Sequence, residues 1–216
     1  MTSIGVGASR PSIGRCFREA VDAYTRNFWS LLGAAVVFEL LTILSLGVLG
    51  GPLYAGVCLM SLRAIDRPTE RLRFREVFGT FDRFGTLVGL FYLTTIAVLA
   101  GYVLLVVPGV LLSAAWLYPF YLVVDADAGF AESLRGSWRM ARRSLGTHVG
   151  LVLITMAVCL APTFVPYVGT LAGWVVAPLG YLIVASAYRQ LAPPDLAPRA
   201  VAHGFPIEPA WTPGTA

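Results

Sequence analysis

The sequence predicts an all-α polytopic membrane protein with about six transmembrane helices, and three observations lead to that class. The chain of 216 residues is 57% hydrophobic and only 13% charged, whereas soluble domains carry about 25% charged residues. Three long stretches are almost free of charged residues, and each is long enough for two spanning helices of about 20 residues. Every basic side chain is an arginine, and the arginines lie in the segments between and beyond those stretches.

The three apolar stretches are 27–62, 84–124 and 144–188, and glycine and proline divide each near its middle. Because these residues together mark tight turns, each stretch is predicted to form a helical hairpin. The six predicted spans cover residues 28–46, 51–65, 86–107, 109–124, 147–164 and 168–190. The second and fourth are short for a hydrocarbon core of about 30 Å, so they are predicted to be either tilted or partly re-entrant.

A charged amphipathic stretch precedes each hairpin. In the first stretch, apolar and charged residues fall on opposite helical faces: Ile13, Phe17 and Tyr24 against Arg15, Arg18, Asp22 and Arg26. The same pattern begins again at Phe74 and at Phe130. It predicts helices that lie in the membrane interface with arginines towards water, and the flanking spans favour this over a soluble amphipathic helix. Three aromatic residues are expected to anchor the chain at the interface: Trp29, Trp138 and Tyr188.

Matching residues recur along the chain at intervals of 56 to 58 residues, as in Phe17, Phe74 and Phe130, and in Pro52, Pro108 and Pro166. The first span of each pair opens with a glycine: Gly33, Gly89 and Gly150. The shared phase predicts three repeats over about 13–66, 72–126 and 128–191. A unit of two spans returns to its starting side, so the units are predicted to be parallel and related by an axis along the membrane normal.

A single transmembrane domain is predicted for residues 13–191, between an N-terminal tail, 1–12, and a proline-rich tail, 192–216, that is expected to be disordered and cytoplasmic. The first apolar stretch has no cleavage site ahead of it and is predicted to remain as a membrane helix. The turns inside the hairpins carry no charge, so the positive-inside rule places both termini in the cytoplasm. The Arg, Ala, Gly, Val and Leu bias is typical of GC-rich bacteria, and the expected location is a bacterial inner membrane.

The segment 107–153 carries a Pro-Gly turn, an aromatic-rich span that ends in an acidic residue, then Glu132-Ser-Leu-x-x-Ser-Trp138 and a basic helix. This pattern resembles small six-span bacterial membrane proteins of unknown function, related to the YciC-like group. It also resembles the membrane domain attached to some glycerophosphoryl diester phosphodiesterases. The resemblance implies a polytopic inner-membrane protein and no activity, because the phosphodiesterase chemistry belongs to a separate soluble barrel for which this chain has no room.

Glu39 is the main candidate for a functional site, since a carboxylate at bilayer depth costs about 2.5–3.5 kcal/mol and by default marks one. Thr95 and Thr155 follow Gly89 and Gly150 at similar distances, so the repeat predicts a polar ring of Glu39, Thr95 and Thr155 at one depth. We expect Glu39 to be protonated and to face the helix bundle. Two interpretations stay open: threonine hydroxyls bond a structural Glu39, or the cluster handles an ion or a substrate.

Asp125 and Asp127 form a second candidate, because an Asp-x-Asp pair can hold a divalent metal together with a substrate phosphate. Such a pair more often lies at a solvated helix end or caps the next helix, and that is the expectation here, ahead of Phe130. The chain has no nucleophile–base pattern, phosphate loop or metal-ligand spacing, so no catalytic residue, cofactor or metal site is predicted. The cysteines are expected to behave as small buried hydrophobic residues.

These features predict a non-enzymatic integral membrane protein, in a structural or accessory role that organises lipid or partner membrane proteins. The alternative is a small transporter or permease component that uses Glu39 in a mid-membrane polar cluster. Membrane lipids are the expected partners, together with other membrane proteins. A nucleic-acid partner is not expected, because the placement of the arginines follows membrane topology. The sequence does not identify a small-molecule substrate.

Overall fold

The computed structural model describes residues 11–164 and 169–191. Within those ranges the chain is all-α, as predicted, with nine α-helices and three short 3-10 segments. The α-helices are α1 (Ile13–Arg26), α2 (Phe28–Leu44), α3 (Gly50–Asp66), α4 (Phe84–Leu104), α5 (Val106–Ala115), α6 (Pro119–Ala126), α7 (Phe130–Arg142), α8 (Leu145–Leu160) and α9 (Gly169–Leu191). The 3-10 segments are Phe74–Phe78, Phe81–Arg83 and Ala161–Phe164.

Two stretches are long and apolar enough to cross a membrane on their own, Phe74–Leu104 and Val106–Ala126. Two further pairs pass the same test only together, and each is sharply bent, α1 with α2 by 95° and α7 with α8 by 104°. By length and composition the described residues therefore supply two to four spans. The first hairpin contributes only short helices, since α2 and α3 have 17 residues each. A count of six stays a prediction.

The helix boundaries follow from turn chemistry. The first hairpin turns where Leu46 and Gly47 adopt positive φ angles of 53° and 87°, a conformation that stops a right-handed helix. The predicted fourth span, 109–124, is broken into α5 and α6. Pro119 is the first residue of α6, where its missing N–H costs nothing, and the chain bends just before it. α9 also contains a proline, Pro178, which lies inside the helix.

The predicted surface helices are partly correct. α1 and α7 form, and each meets the helix that follows at close to a right angle. The second predicted surface helix is wrong, because the segment folds as two 3-10 turns, Phe74–Phe78 and Phe81–Arg83. Gly79 and Thr80 separate the two turns, which leaves too few residues on either side for a regular amphipathic α-helix.

α1 presents three faces rather than the two that were predicted. Its buried face is made of small residues, Cys16, Ala20 and Ala23, all fully buried against the rest of the protein. Phe17 was predicted to lie on the apolar face directed towards the membrane, and it is 44% exposed rather than buried in the bundle. The arginines lie on the third face. Small side chains allow α1 to approach α9 closely, which explains why the largest apolar side chain is not the buried one.

α7 repeats this arrangement. Its small residues Ser133, Ser137 and Ala141 are buried, while the aromatic side chain of Trp138 is 47% exposed and the arginines remain outside. Ser137 also bonds the break between α5 and α6: its hydroxyl donates to the Ala115 carbonyl at 2.7 Å and accepts the Tyr118 N–H at 3.1 Å. The surface helix thus satisfies backbone groups that the break leaves without helical partners.

The elements pack in a cyclic order. Each of three helices lies against two others, α2 against α3 and α9, α4 against α5 and α3, and α8 against α9 and α5. The surface elements follow the same order, with α1 on α9, the segment Phe74–Phe78 on α3, and α7 on α6. The glycine that opens the first span of each unit faces the surface element of the following unit, and the third unit is followed by the first. Gly33 faces Phe74, Gly89 faces Phe130 and Gly150 faces Ile13. α3, α6 and the end of α9 lie at the centre.

Two glycines in α3 allow backbone segments to touch. A Cβ on Gly56 would lie 1.9 Å from the Val77 carbonyl oxygen, and one on Gly51 would lie 2.2 Å from that of Leu87. Both distances are far below van der Waals contact, so only glycine fits. These positions fix how closely the 3-10 segment and α4 can approach the central helix.

Aromatic rings fill the centre of the bundle. Tyr54 of α3 meets Phe120 of α6 edge-on at 4.7 Å between ring centroids, and meets Tyr181 of α9 at 5.6 Å. Tyr188 was expected to be an interface anchor, but it is fully buried and stacks on Tyr121 at 5.7 Å. Aromatic packing of this kind adds to the stability of a core beyond simple area burial.

Candidate functional site

Glu39 lies in the middle of α2, eleven residues after Phe28 and so about 16 Å along the helix. Its side chain is half-buried, and within the described part of the chain it makes no hydrogen bond or ion pair. It stands within electrostatic reach of the Tyr181 phenol of α9. The depth of Glu39 in a bilayer stays a prediction, and the expected hydrogen-bond partner is missing among the described residues.

The predicted polar ring is not assembled as one cluster. Thr155 of α8 faces α9, where its methyl group lies 3.3 Å from the position of a Cβ on Gly180, and its hydroxyl is buried without a partner among the described residues. Glu39 and Thr155 therefore approach neighbouring residues of α9. Thr95 does not join them, because it lies on the exposed face of α4.

A different cluster joins the ends of the three central helices. Arg189 of α9 donates two hydrogen bonds to Asp125 of α6, from Nη1 to Oδ2 at 2.7 Å and from Nη2 to Oδ1 at 2.9 Å. It also bonds Asp66 of α3, from Nε to Oδ1 at 2.8 Å and from Nη2 to Oδ2 at 2.6 Å. Tyr188 adds a hydroxyl donor 2.9 Å from Asp125 Oδ2. We call Asp66, Asp125 and Arg189 the helix-end clamp.

The clamp overturns the expectation for Asp125, whereas Asp127 lies at a helix end with its side chain 45% exposed. Asp125 is fully buried and ion-paired rather than solvated. Neither aspartate caps α7, since Gly129 precedes that helix and no side chain bonds its first turn. Asp127 instead ends α6 in a left-handed conformation, with φ of 57°, and pairs with Arg83.

In the clamp, the charge of Arg189 compensates those of the two carboxylates and so holds the three helix ends together. Two carboxylates share one guanidinium, and the planar fork of Arg189 matches the geometry of both. The clamp lies at helix C-termini, where the peptide dipoles disfavour added negative charge. Arg189 is therefore what makes the buried Asp125 carboxylate tolerable, and its removal leaves that charge without compensation.

The clamp was not predicted from the sequence, because Arg189 there serves only as a marker of topology. The available signal was positional. Each of its three residues is at or near the end of the second span of its unit, and helix ends on one side of a bundle lie close together in space. The residues are 59 or more positions apart in sequence, so no local motif connects them.

The other titratable candidates do not form a reaction centre among the described residues. No group of three or more His, Cys, Asp and Glu side chains there is arranged to hold a metal ion. His148 is fully buried with Nδ1 2.9 Å from the Ser144 carbonyl oxygen, and its ring packs edge-on against Tyr118. In α1, the Cys16 side chain is fully buried, and this burial raises the pKa of its thiol, so Cys16 is not suited to act as a nucleophile.

No protein-family model, curated protein or solved structure matches this chain. The resemblance to the YciC-like group and to the phosphodiesterase membrane domain therefore stays a prediction. The site must be interpreted from its own geometry.

Proposed function

We propose that the chain is a non-enzymatic integral membrane protein with a structural or accessory role, which organises lipid or partner membrane proteins. The observation that carries this proposal is that the interior of the bundle is filled with packed side chains. Tyr54, Phe120 and Tyr181 fill the centre, and the helix-end clamp ties the ends of α3, α6 and α9 together. A bundle whose axis is packed with rings and locked at one end is suited to hold a fixed shape.

The outer surface supports placement in a bilayer. Large apolar side chains are strongly exposed along α4 and at the hairpin tips, among them Leu44, Ile96, Val103 and Phe164. Contiguous exposed apolar surface of this kind marks contact with a membrane or a protein partner. Exposed aromatics also occur on every surface element, beside the arginines: Phe17, Phe74, Phe78, Phe130 and Trp138. That combination is typical of the interface between lipid and water.

We also propose the threefold parallel repeat and the predicted topology. The cyclic packing order supports the repeat, because each unit meets the next one through the same kind of elements and the third meets the first. The arginine-bearing elements and the helix-end clamp belong to one side, which the positive-inside rule assigns to the cytoplasm of a bacterial cell. In this arrangement the uncharged hairpin turns face outwards.

Reconstitution tests the proposal against transport. Proteoliposomes that hold a pH-sensitive dye and are given a proton gradient are expected to leak no faster than protein-free liposomes. Glu39→Gln is expected to change neither the leak rate nor the yield of folded protein, because the amide keeps the shape and hydrogen-bonding capacity of a protonated carboxyl. A proton flux that disappears in Glu39→Gln would contradict the structural role.

One observation favours the alternative, a small transporter or permease component. Within the described residues Glu39 has no hydrogen bond or ion pair, and the buried Thr155 hydroxyl has no partner either. An ionisable side chain inside a membrane is expensive, and by default it marks a functional site. The flux experiment with Glu39→Gln decides between the two functions.

A further inference from the structure

We infer that one edge of α7 binds the phosphate of an anionic phospholipid in the surrounding bilayer, through Trp138 and the two arginines that flank it, Arg135 and Arg142. All three side chains are exposed. The inference deepens the proposed function, because it names the class of lipid that the chain organises. It also rests on that function, since α7 must lie at a membrane surface.

The orientation of α7 suits such a surface. α7 and α8 are bent by 104° relative to each other, so α7 lies close to the membrane plane when α8 crosses the bilayer. Its small residues face the protein, where the Ser137 hydroxyl donates to the Ala115 carbonyl oxygen. One face of α7 is thus fixed against the bundle, and its other faces are left for lipid and water.

The two edges of α7 differ. Gly136 faces the central helix α6, where a Cβ on this glycine would lie 2.8 Å from Leu122 Cδ1. Trp138 follows two residues later, which at about 100° per residue places it near the opposite edge. Its side chain is 47% exposed and points away from the centre of the bundle. An aromatic side chain in this position is typical of contact with the interfacial layer of a membrane.

Arg135 and Arg142 lie beside Trp138, three residues before it and four residues after it. Side chains at these spacings are neighbours on a helix surface. Neither arginine forms an ion pair within the described part of the chain. Arg135 Nε donates to the Ala131 carbonyl oxygen at 3.2 Å, which leaves its terminal nitrogens for a ligand. Guanidinium groups favour planar, multidentate contact with phosphate oxygens.

The charge balance of α7 favours an anionic ligand. α7 and the residue after it carry four arginines against one glutamate: Arg135, Arg139, Arg142, Arg143 and Glu132. The first surface helix, α1, carries three arginines against two acidic residues, and its Arg15 pairs with Glu19 at 2.9 Å. The surplus of positive charge is therefore larger on α7. A headgroup with a net negative charge gains more from it than a zwitterionic headgroup does.

A lipid fits this edge better than a soluble anion. Phe130, Leu134 and Trp138 follow one another at intervals of four residues, so they form one apolar ridge along the helix. Phe130 is 38% exposed. Arg135 and Arg142 lie on the side of this ridge away from the buried serines. A molecule with a phosphate above an acyl chain contacts both the arginines and the ridge, whereas a free phosphate contacts the arginines alone.

Native mass spectrometry of the full chain tests the inference. The protein is released from vesicles with equal amounts of phosphatidylglycerol and phosphatidylethanolamine, and the lipids that stay bound are counted. We expect phosphatidylglycerol to be retained preferentially. Arg142→Gln is expected to weaken that retention about fivefold, which corresponds to about 1 kcal/mol. Arg135→Gln is expected to have the same effect.

Arg143→Gln is the matched control. It removes the same charge from an exposed arginine of the same surface, but this arginine lies five residues after Trp138 and so about 140° away around the helix. The control is expected to leave the preference for phosphatidylglycerol nearly unchanged. Arg142→Lys keeps the positive charge and is expected to retain most of the preference, which separates loss of the site from misfolding.

Three outcomes would overturn the inference. The first is equal retention of the two lipids by the parent protein. The second is an equal loss in Arg142→Gln and Arg143→Gln, which would indicate general attraction to the surface and no site beside Trp138. The third is a different occupant, shown by displacement of the lipid with millimolar glycerol 1-phosphate or by a bound acidic protein that Arg142→Gln releases.

The outcomes also separate this inference from the proposed function. Absence of a lipid preference, together with absence of proton flux, leaves the structural role standing and removes the edge of α7 as a lipid site. A flux that depends on Glu39, together with retained phosphatidylglycerol, does the reverse.

Discussion

Arg189→Met is the sharpest test of the fold, because it removes the cation that holds Asp125. Asp125 has no exposed surface, and without Arg189 its described partner is the Tyr188 hydroxyl. Removal of one partner from a buried ion pair costs about 3–5 kcal/mol, since a charge is left uncompensated. The Asp66 contact adds little to this, because its side chain is 38% exposed and exposed ion pairs contribute about 0–1 kcal/mol.

The loss converts into a measurable shift. A domain of about 150–250 residues loses about 2–4 °C in Tm for each kcal/mol, so Arg189→Met should lower the Tm by about 6–20 °C. A dye that fluoresces on reaction with thiols reports unfolding here, because Cys16 and Cys58 are fully buried and become reactive only when the bundle opens. Arg135→Met serves as control, as this arginine is exposed on α7.

A second substitution separates the charge from the side-chain shape. Asp125→Asn combined with Arg189→Met removes the uncompensated carboxylate and keeps a hydrogen-bond partner for Tyr188. The double variant is expected to unfold at a higher temperature than Arg189→Met alone. Equal melting temperatures for Arg189→Met and Arg135→Met would refute the prediction that the clamp stabilises the fold. A double variant no more stable than Arg189→Met alone would refute it as well.

Three further outcomes are expected. Gly56→Ala should cost about 1–3 kcal/mol or more from overpacking against Val77, whereas Gly85→Ala, which meets nothing within 4 Å, should leave the Tm unchanged or raise it. An impermeant maleimide added to intact cells should label Leu46→Cys, at a turn that is 88% exposed, and not Thr69→Cys on the arginine side; the reverse pattern would invert the topology. Cys16 should react with maleimide far more slowly than Thr69→Cys at neutral pH, because its side chain is fully buried and burial also raises the pKa of its thiol, and equal rates would show that α1 detaches from α9.

The positions of the helices could be predicted because their signals are local. Charged residues bound the apolar stretches, and Pro and Gly mark the turns, so α2 begins at the predicted residue Phe28 and ends within two residues of the predicted boundary. The break before α6 lies next to Pro119. This proline is a visible signal for a helix start, but a count of apolar residues does not register it. The 3-10 form of the second surface element depends on Gly79 and Thr80 and on packing against α3, which periodicity does not report.

The composition of the polar site could not be predicted, because the rotation of each helix about its axis leaves no trace in an apolar sequence. α4 is apolar all round, so nothing in its pattern indicates that Thr95 faces outwards. Glu39 and Thr155 approach α9 from two helices, α2 and α8, whose faces are set by tertiary packing. The helix-end clamp is non-local in the same way, since Asp66, Asp125 and Arg189 meet only after the central helices have assembled.

The surface elements show why a two-way division into apolar and polar faces fails at a membrane boundary. A helix in that position touches lipid, water and protein, and each environment selects different residues. On α1 the protein face holds Cys16, Ala20 and Ala23, because backbone approach rather than side-chain volume drives packing there. Phe17 is then left exposed, and in the proposed membrane placement it faces lipid while the arginines face water. The small residues are therefore the ones that attach α1 to α9, and α1 is a structural part of the cyclic bundle rather than an appendage lying on it.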